Sequence, residues 1–125
     1  MPYDADLANR VREVLGRGRR VEEKRMFGGL TFMVRGKMCV SVGKGRLMCR
    51  IDPAIHDAAI QRQGCRTVVM KGREYRGFVH VNVDALRTKR DLDYWVNLAL
   101  DFNDGARSTN GHGPHPSDRG SGGSG

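Results

Sequence analysis

Cysteine, aromatic residues and long apolar runs are all scarce in this chain, and each shortage removes a class of function. Cys39, Cys49 and Cys65 are an odd number with no C-x-x-C spacing, which excludes the disulfide framework of a small secreted domain and a zinc ribbon. They are expected as reduced thiols. Aromatics are only 6% of the chain, and no paired rings sit on a strand as in an RNA-recognition sheet. No helix-turn-helix pattern is evident either, so an element that reads base edges is not expected. No apolar stretch approaches the roughly 18 residues of a membrane span, and Asp4 and Asp6 stand where a signal peptide carries positive charge. A cytoplasmic location without membrane association is the expectation.

Recognisable catalytic spacing is missing as well. His56 and His80 lie inside the domain without metal-ligand spacing to each other or to the cysteines, and no metal or cofactor is expected. Glu22 and Glu23 are adjacent on a strand, so they point to opposite sides and cannot flank one substrate. Gly43-Lys44-Gly45 and Gly16-Arg17-Gly18 lack the strand-to-helix context of a phosphate loop and read as turns. No catalytic residue is assigned.

What the chain does have is positive charge and a size of 125 residues, which suits one domain with its own core. Lys and Arg number 22 against 14 Asp and Glu, a net charge of +8. Such a field attracts nucleic acid, acidic proteins or anionic lipid without choosing among them, and arginine also serves as a plain solubilising residue. From Gly105 to Gly125 the sequence is rich in Gly, Ser and Pro with no apolar periodicity, and is expected to be disordered. Residues 1–104 form the expected domain and carry most of the charge.

Within that domain the apolar period predicts an α+β fold in the order α-β-β-β-α-β-β-α. Leu7, Ala8, Val11, Val14 and Leu15 recur at helical spacing after Asp4 as a cap. Three antiparallel strands follow: Val21 to Val34, bent at Gly28 and Gly29; Lys37 to Val42; and Arg46 to Ile51. The paired glycines point to a bulge or a close backbone approach. Asp52-Pro53 opens a short helix with Ala54, Ile55, Ala58 and Ala59 as its stripe. Strands at Thr67 to Met70 and Tyr75 to Val83 precede a last helix, capped by Thr88 and Asp91, whose Leu92, Trp95, Val96, Ala99 and Phe102 face inward.

Register decides which residues reach the open face of the sheet. A three-residue loop of Val34, Arg35 and Gly36 pairs Phe32 with Met38 and Leu30 with Val40. A two-residue turn of Lys44 and Gly45 then pairs Val42 with Leu47, Val40 with Cys49 and Met38 with Ile51. The other face carries Thr31, Met33, Cys39, Ser41, Met48 and Arg50, with Arg35, Lys37, Lys44 and Arg46 in or beside the turns. Cys39 and Cys49 fall on opposite faces in this register. Met33, Arg35, Lys37, Cys39, Lys44, Arg46, Met48 and Arg50 are therefore the candidate contact residues for a protein or nucleic-acid partner. The basic run Arg17, Arg19, Arg20, Lys24 and Arg25 adds to the phosphate-contacting possibility. Cys39 beside Arg50 has a positive neighbour that favours thiolate, but neither histidine is placed to activate it.

Arg25-Met26-Phe27-Gly28-Gly29-Leu30, then Phe32-Met33, Gly36-Lys37-Met38, Gly77-Phe78-Val79 and Trp95-Val96 resemble the N-terminal domain of the TfoX/Sxy competence regulators. The likeness covers Tyr3 to Asp104. It implies an antiparallel sheet with helices in α-β3-α-β2-α order, also described as secretion-chaperone-like. Members regulate DNA-uptake genes together with the cyclic-AMP receptor protein, and a second, helical domain follows this one in full-length members. Here the Gly/Ser/Pro-rich segment stands at that place. The resemblance implies a non-enzymatic regulatory domain that docks on a protein partner, such as a transcription factor of the cyclic-AMP receptor type. Weak, sequence-nonspecific nucleic-acid binding through the basic turns is the alternative.

Overall fold

The computed structural model describes residues 3–16 and 18–106, and the expected disordered tail lies almost wholly outside them. Helix α1, Ala5–Leu15, starts where the Asp4 carboxylate accepts a hydrogen bond from the Leu7 amide at 3.0 Å, and it buries Leu7, Ala8, Val11 and Leu15. Six strands follow in one antiparallel sheet: β1 Val21–Met26, β2 Gly29–Val34, β3 Lys37–Val42, β4 Arg46–Arg50, β5 Cys65–Met70 and β6 Arg73–Asn82. Their spatial order is β1-β2-β3-β4-β6-β5, so β6 lies between β4 and β5. Helix α3, Lys89–Gly105, begins at Thr88, whose hydroxyl accepts from the Asp91 amide. The fold is α+β.

The segment 21–34 is two strands rather than one bent strand. Phe27 and Gly28 both take positive φ, 58° and 74°, which is the two-residue turn that matches the twist of a hairpin. Val21 consequently pairs with Val34 and Met26 with Gly29. Gly29 then fulfils the close-approach reading, because a Cβ there would lie 2.1 Å from the Val42 carbonyl oxygen. The element order becomes α-β-β-β-β-α-β-β-α.

A second correction concerns register. The β2–β3 turn is Arg35-Gly36 alone, with φ of 55° and 76°, so Val34 pairs with Lys37 and Met33 with Met38. A bulge then shifts the ladder, and Phe32 meets Val40 and Leu30 meets Val42. Both expected pairs, Phe32 with Met38 and Leu30 with Val40, are thus displaced. The bulge turns Cys39 into the helix-covered core and sends Met38 to the other face, the reverse of the sequence expectation. Cys39 and Cys49 share one core cluster, both as free thiols. Across the Lys44-Gly45 turn the expected pairs Val42 with Leu47 and Val40 with Cys49 are present.

Helices α1 and α3 cover one face of the sheet. Phe32, Val40, Cys49 and Val79 stand in one row beneath them, and Leu30, Val42, Leu47 and Val81 in the next. Trp95 is 3% exposed in this core, as its place in the helical stripe requires. Phe102, expected inward, is only half-buried, and the last turn instead buries Leu100 and Asn103. The short helix after Asp52 is a 3-10 turn, Pro53–Ile55, followed by one α-helical turn, α2, His56–Ala59. It buries His56 and Ala59, while Ala54 and Ala58 face water.

Candidate functional site: the open face of the sheet

Side chains directly opposite each other in an antiparallel ladder share a face. The pairs Lys24 with Thr31, Thr31 with Ser41, Ser41 with Met48, Met48 with His80 and His80 with Arg66 therefore form one row across all six strands. This row lies on the face away from α1 and α3. Cations occupy its two ends and buried groups its middle.

Part of that face is closed. Met33, Met38, Met48, Val68 and Phe78 form a second apolar cluster, with Phe27, Met70 and Tyr75 packed against it. Met33 is 6% and Met48 3% exposed, so neither presents an apolar surface to a partner. Thr31 and Ser41 are also buried, with their hydroxyl oxygens 2.8 Å apart. Thr31 donates to the Met26 carbonyl at 3.3 Å, which leaves Ser41 as the donor between the two hydroxyls. The free lone pairs of Ser41 remain available as acceptors.

The remaining sequence candidates separate into four groups. Cys39 belongs to the helix-side core, where burial pushes its thiol up to about 12 despite Arg19, Arg35 and Arg50 nearby. It is a packing residue rather than an activated nucleophile. Arg35 and Lys37 bind the C-terminal end of α3: Arg35 donates to the Asn103 side-chain oxygen at 3.1 Å, and Lys37 Nζ to the Asn103 and Ala106 carbonyls at 2.6 and 3.0 Å. Asn103 in turn donates to the Val34 carbonyl at 3.2 Å. This is a clamp between the β2–β3 turn and a helix end whose carbonyls would otherwise lack donors. Arg50 lies 5.9 Å from the Phe78 ring centre and 5.3 Å from that of Phe102. Of these candidates, Lys44 and Arg46 are exposed on the open side.

Sequence reasoning missed both ends of the row, Lys24 and Arg66, and His80 beside Arg66, as members of one surface. The signal was present in β6, where alternation puts Phe78, His80 and Asn82 opposite to Val79 and Val81. His80 is 7% exposed, and burial together with the guanidinium groups of Arg46 and Arg66 pushes its imidazole down to about 4. His56 is a structural histidine by contrast. Its Nδ1 accepts from the Gly77 amide at 3.0 Å, which fixes the proton on Nε2 and makes that atom the donor to Thr67 Oγ1 at 2.9 Å.

Phe27, Gly28, Ser41, Gly43, Lys44, Arg46, Met48 and His80 surround a cavity of about 230 Å³ on this face. Among the described residues, no group of three or more His, Cys, Asp and Glu side chains is arranged to hold a metal ion, and no helix is long and apolar enough to cross a membrane.

The hairpin carrying Met26-Phe27-Gly28-Gly29 and the helix carrying Trp95 both fall within the region that matches the TfoX N-terminal domain family, residues 13–103. The chain belongs to that family. No curated protein and no solved structure matches it. The matched region thus comprises the whole described sheet, α2 and all but the last two residues of α3, with α1 contributing its last turn.

Proposed function

We propose that this TfoX domain is a non-catalytic regulatory module that docks an acidic surface of a protein partner against the cationic rim of its open sheet face. The observation that carries this reading is the state of the rim cations. Lys24, Lys44, Arg46 and Arg66 make no ion pair among the described residues, whereas the ion pairs present there involve Arg12, Arg35, Arg76, Arg87 and Lys89 on other surfaces. Glu22, opposite Met33, is the acidic side chain that the ladder places on the same side. Uncompensated charge at an exposed rim steers association and selects the sign of the partner. A transcription factor of the cyclic-AMP receptor type is one partner consistent with the family. The structural hydrogen bonds of His56 and the buried thiols of Cys39 and Cys49 favour binding over catalysis.

Charge reversal at the two ends of the row tests the proposal. The full chain and its Lys24→Glu/Arg66→Glu variant would be used to capture partners from the source cell, with and without nuclease. The expected result is a protein retained after nuclease treatment by the parent chain and lost with the variant. Material that disappears with nuclease, or that persists when the charges are reversed, overturns the reading.

A further inference from the structure

His80 is enclosed yet makes no hydrogen bond with any described residue. Among the described residues no fully buried side-chain nitrogen or oxygen lacks a partner. Both ring nitrogens of His80 must therefore keep a path to solvent, and the residue lines the 230 Å³ cavity. An imidazole with no protein partner and a path to solvent hydrogen-bonds to water or to a ligand that displaces it. The rest of the wall is equally specific. Ser41 Oγ, its proton committed to Thr31, presents lone pairs; Phe27 and Met48 present apolar surface; Lys44 and Arg46 stand at the wall without counter-ions.

The geometry points to a binding site for a small phosphate monoester with a compact, planar organic body. Two cations without counter-ions complement a phosphate monoester, which carries about −1.5 to −2 at neutral pH, better than a monoanion. The Arg46 guanidinium can take two phosphate oxygens at once, and Lys44 supplies a mobile point charge. The Phe27 ring and Met48 sulfur suit a flat ring, and sulfur against an aromatic edge is a favourable contact. A hydroxyl or ring N–H on that body donates to Ser41 Oγ, while neutral His80 offers one donor and one acceptor. At about 230 Å³ the cavity lies below the roughly 300 Å³ at which drug-sized pockets begin, a size that suits a ligand with a single ring. This site does not depend on the docking reading, because the cavity can fill whether or not a partner covers the face.

Amide NMR titration of the full chain with phenyl phosphate, inorganic phosphate and phenol tests the site. Phenyl phosphate is expected to give saturable shifts at Gly28, Ser41, Met48 and His80. Inorganic phosphate and phenol should each bind at least about tenfold more weakly, as should phenyl phosphate to Lys44→Ala or Arg46→Ala, the scale of one lost charge-assisted hydrogen bond. Lys44 is exposed in the β3–β4 turn and Arg46 is exposed at the start of β4, and thermal melts of both variants check that the fold is kept. His80→Phe, checked by its thermal melt, should block the cavity. Shifts scattered over Arg20, Arg25 and Arg73 alike would mean diffuse anion binding and overturn the proposal. Equal binding of phenol, or unchanged affinity in both cation variants, would overturn it too.

Discussion

His80 is neutral at physiological pH because its enclosure disfavours the charged ring and Arg46 and Arg66 repel it. Its imidazole sits at about 4 in the fold against roughly 6.5 in an unfolded chain. Between those values the unfolded state binds a proton that the native ring refuses. Stability contributed by the neutral ring is therefore complete above the unfolded value and is lost as pH falls toward 4, by at most about 1.4 kcal/mol per pH unit for one proton. His56, held down by burial and by Arg76, acts in the same direction. His80→Gln is expected to flatten this acid limb. Urea midpoints at neutral and mildly acidic pH, compared between parent and variant, measure it; an equally steep limb in the variant would assign the proton uptake to His56 or to the carboxylates.

At the scale of elements, the β1–β2 hairpin shows where the sequence was legible and where it was not. Asp4, Thr88 and the helical stripes were readable because caps and the 3.6-residue period are local signals. The Lys44-Gly45 turn was readable for the same reason. The run Met26-Phe27-Gly28-Gly29-Leu30 hid its turn because Phe27, a bulky residue, takes a positive φ usually filled by Asn, Asp or Gly. The bulge beside Cys39 had no local mark at all, and one displaced residue exchanged the faces of Cys39 and Met38. That single shift removed Cys39 from the expected open face and put Met38 there instead. Gly29→Ala tests the hairpin geometry directly, since its Cβ would collide with backbone rather than with a flexible side chain. A loss of roughly 1 to 3 kcal/mol is expected, the usual range for overpacking. Gly18→Ala, with open space around it and no positive φ, should be neutral or slightly stabilising. Denaturant midpoints for the two variants would agree only if Gly29 lay in an ordinary bulge with room beside it.

At the scale of the whole molecule, the excess of 22 basic over 14 acidic residues fixes the sign of the field, while the fold decides which cations are free to use it. Lys37 and Arg35 are engaged with α3, so the contact set on the open face becomes Lys24, Lys44, Arg46 and Arg66, the last also donating to the Asn82 side-chain oxygen at 2.7 Å. If those side chains contacted phosphates of duplex DNA, about four contacts would give a log-log salt slope near −3.6. Raising salt from about 50 to 200 mM would then weaken binding by roughly two orders of magnitude. Lys44→Ala should flatten that slope by about 0.9, whereas Lys37→Ala should leave it unchanged because its ammonium already serves the helix end. An acidic protein surface carries no condensed counter-ion layer, so its salt response is ordinary screening, over a Debye length of about 10 Å at 0.1 M. Titration of labelled duplex DNA across that salt range separates the two. Binding no tighter than millimolar at low salt is expected, because the cations form a rim around a flat face and no element enters a groove to read base edges. A linear slope near −3.6 with tight binding at low salt, reduced by Lys44→Ala but not by Lys37→Ala, would instead make nucleic acid the ligand of this face.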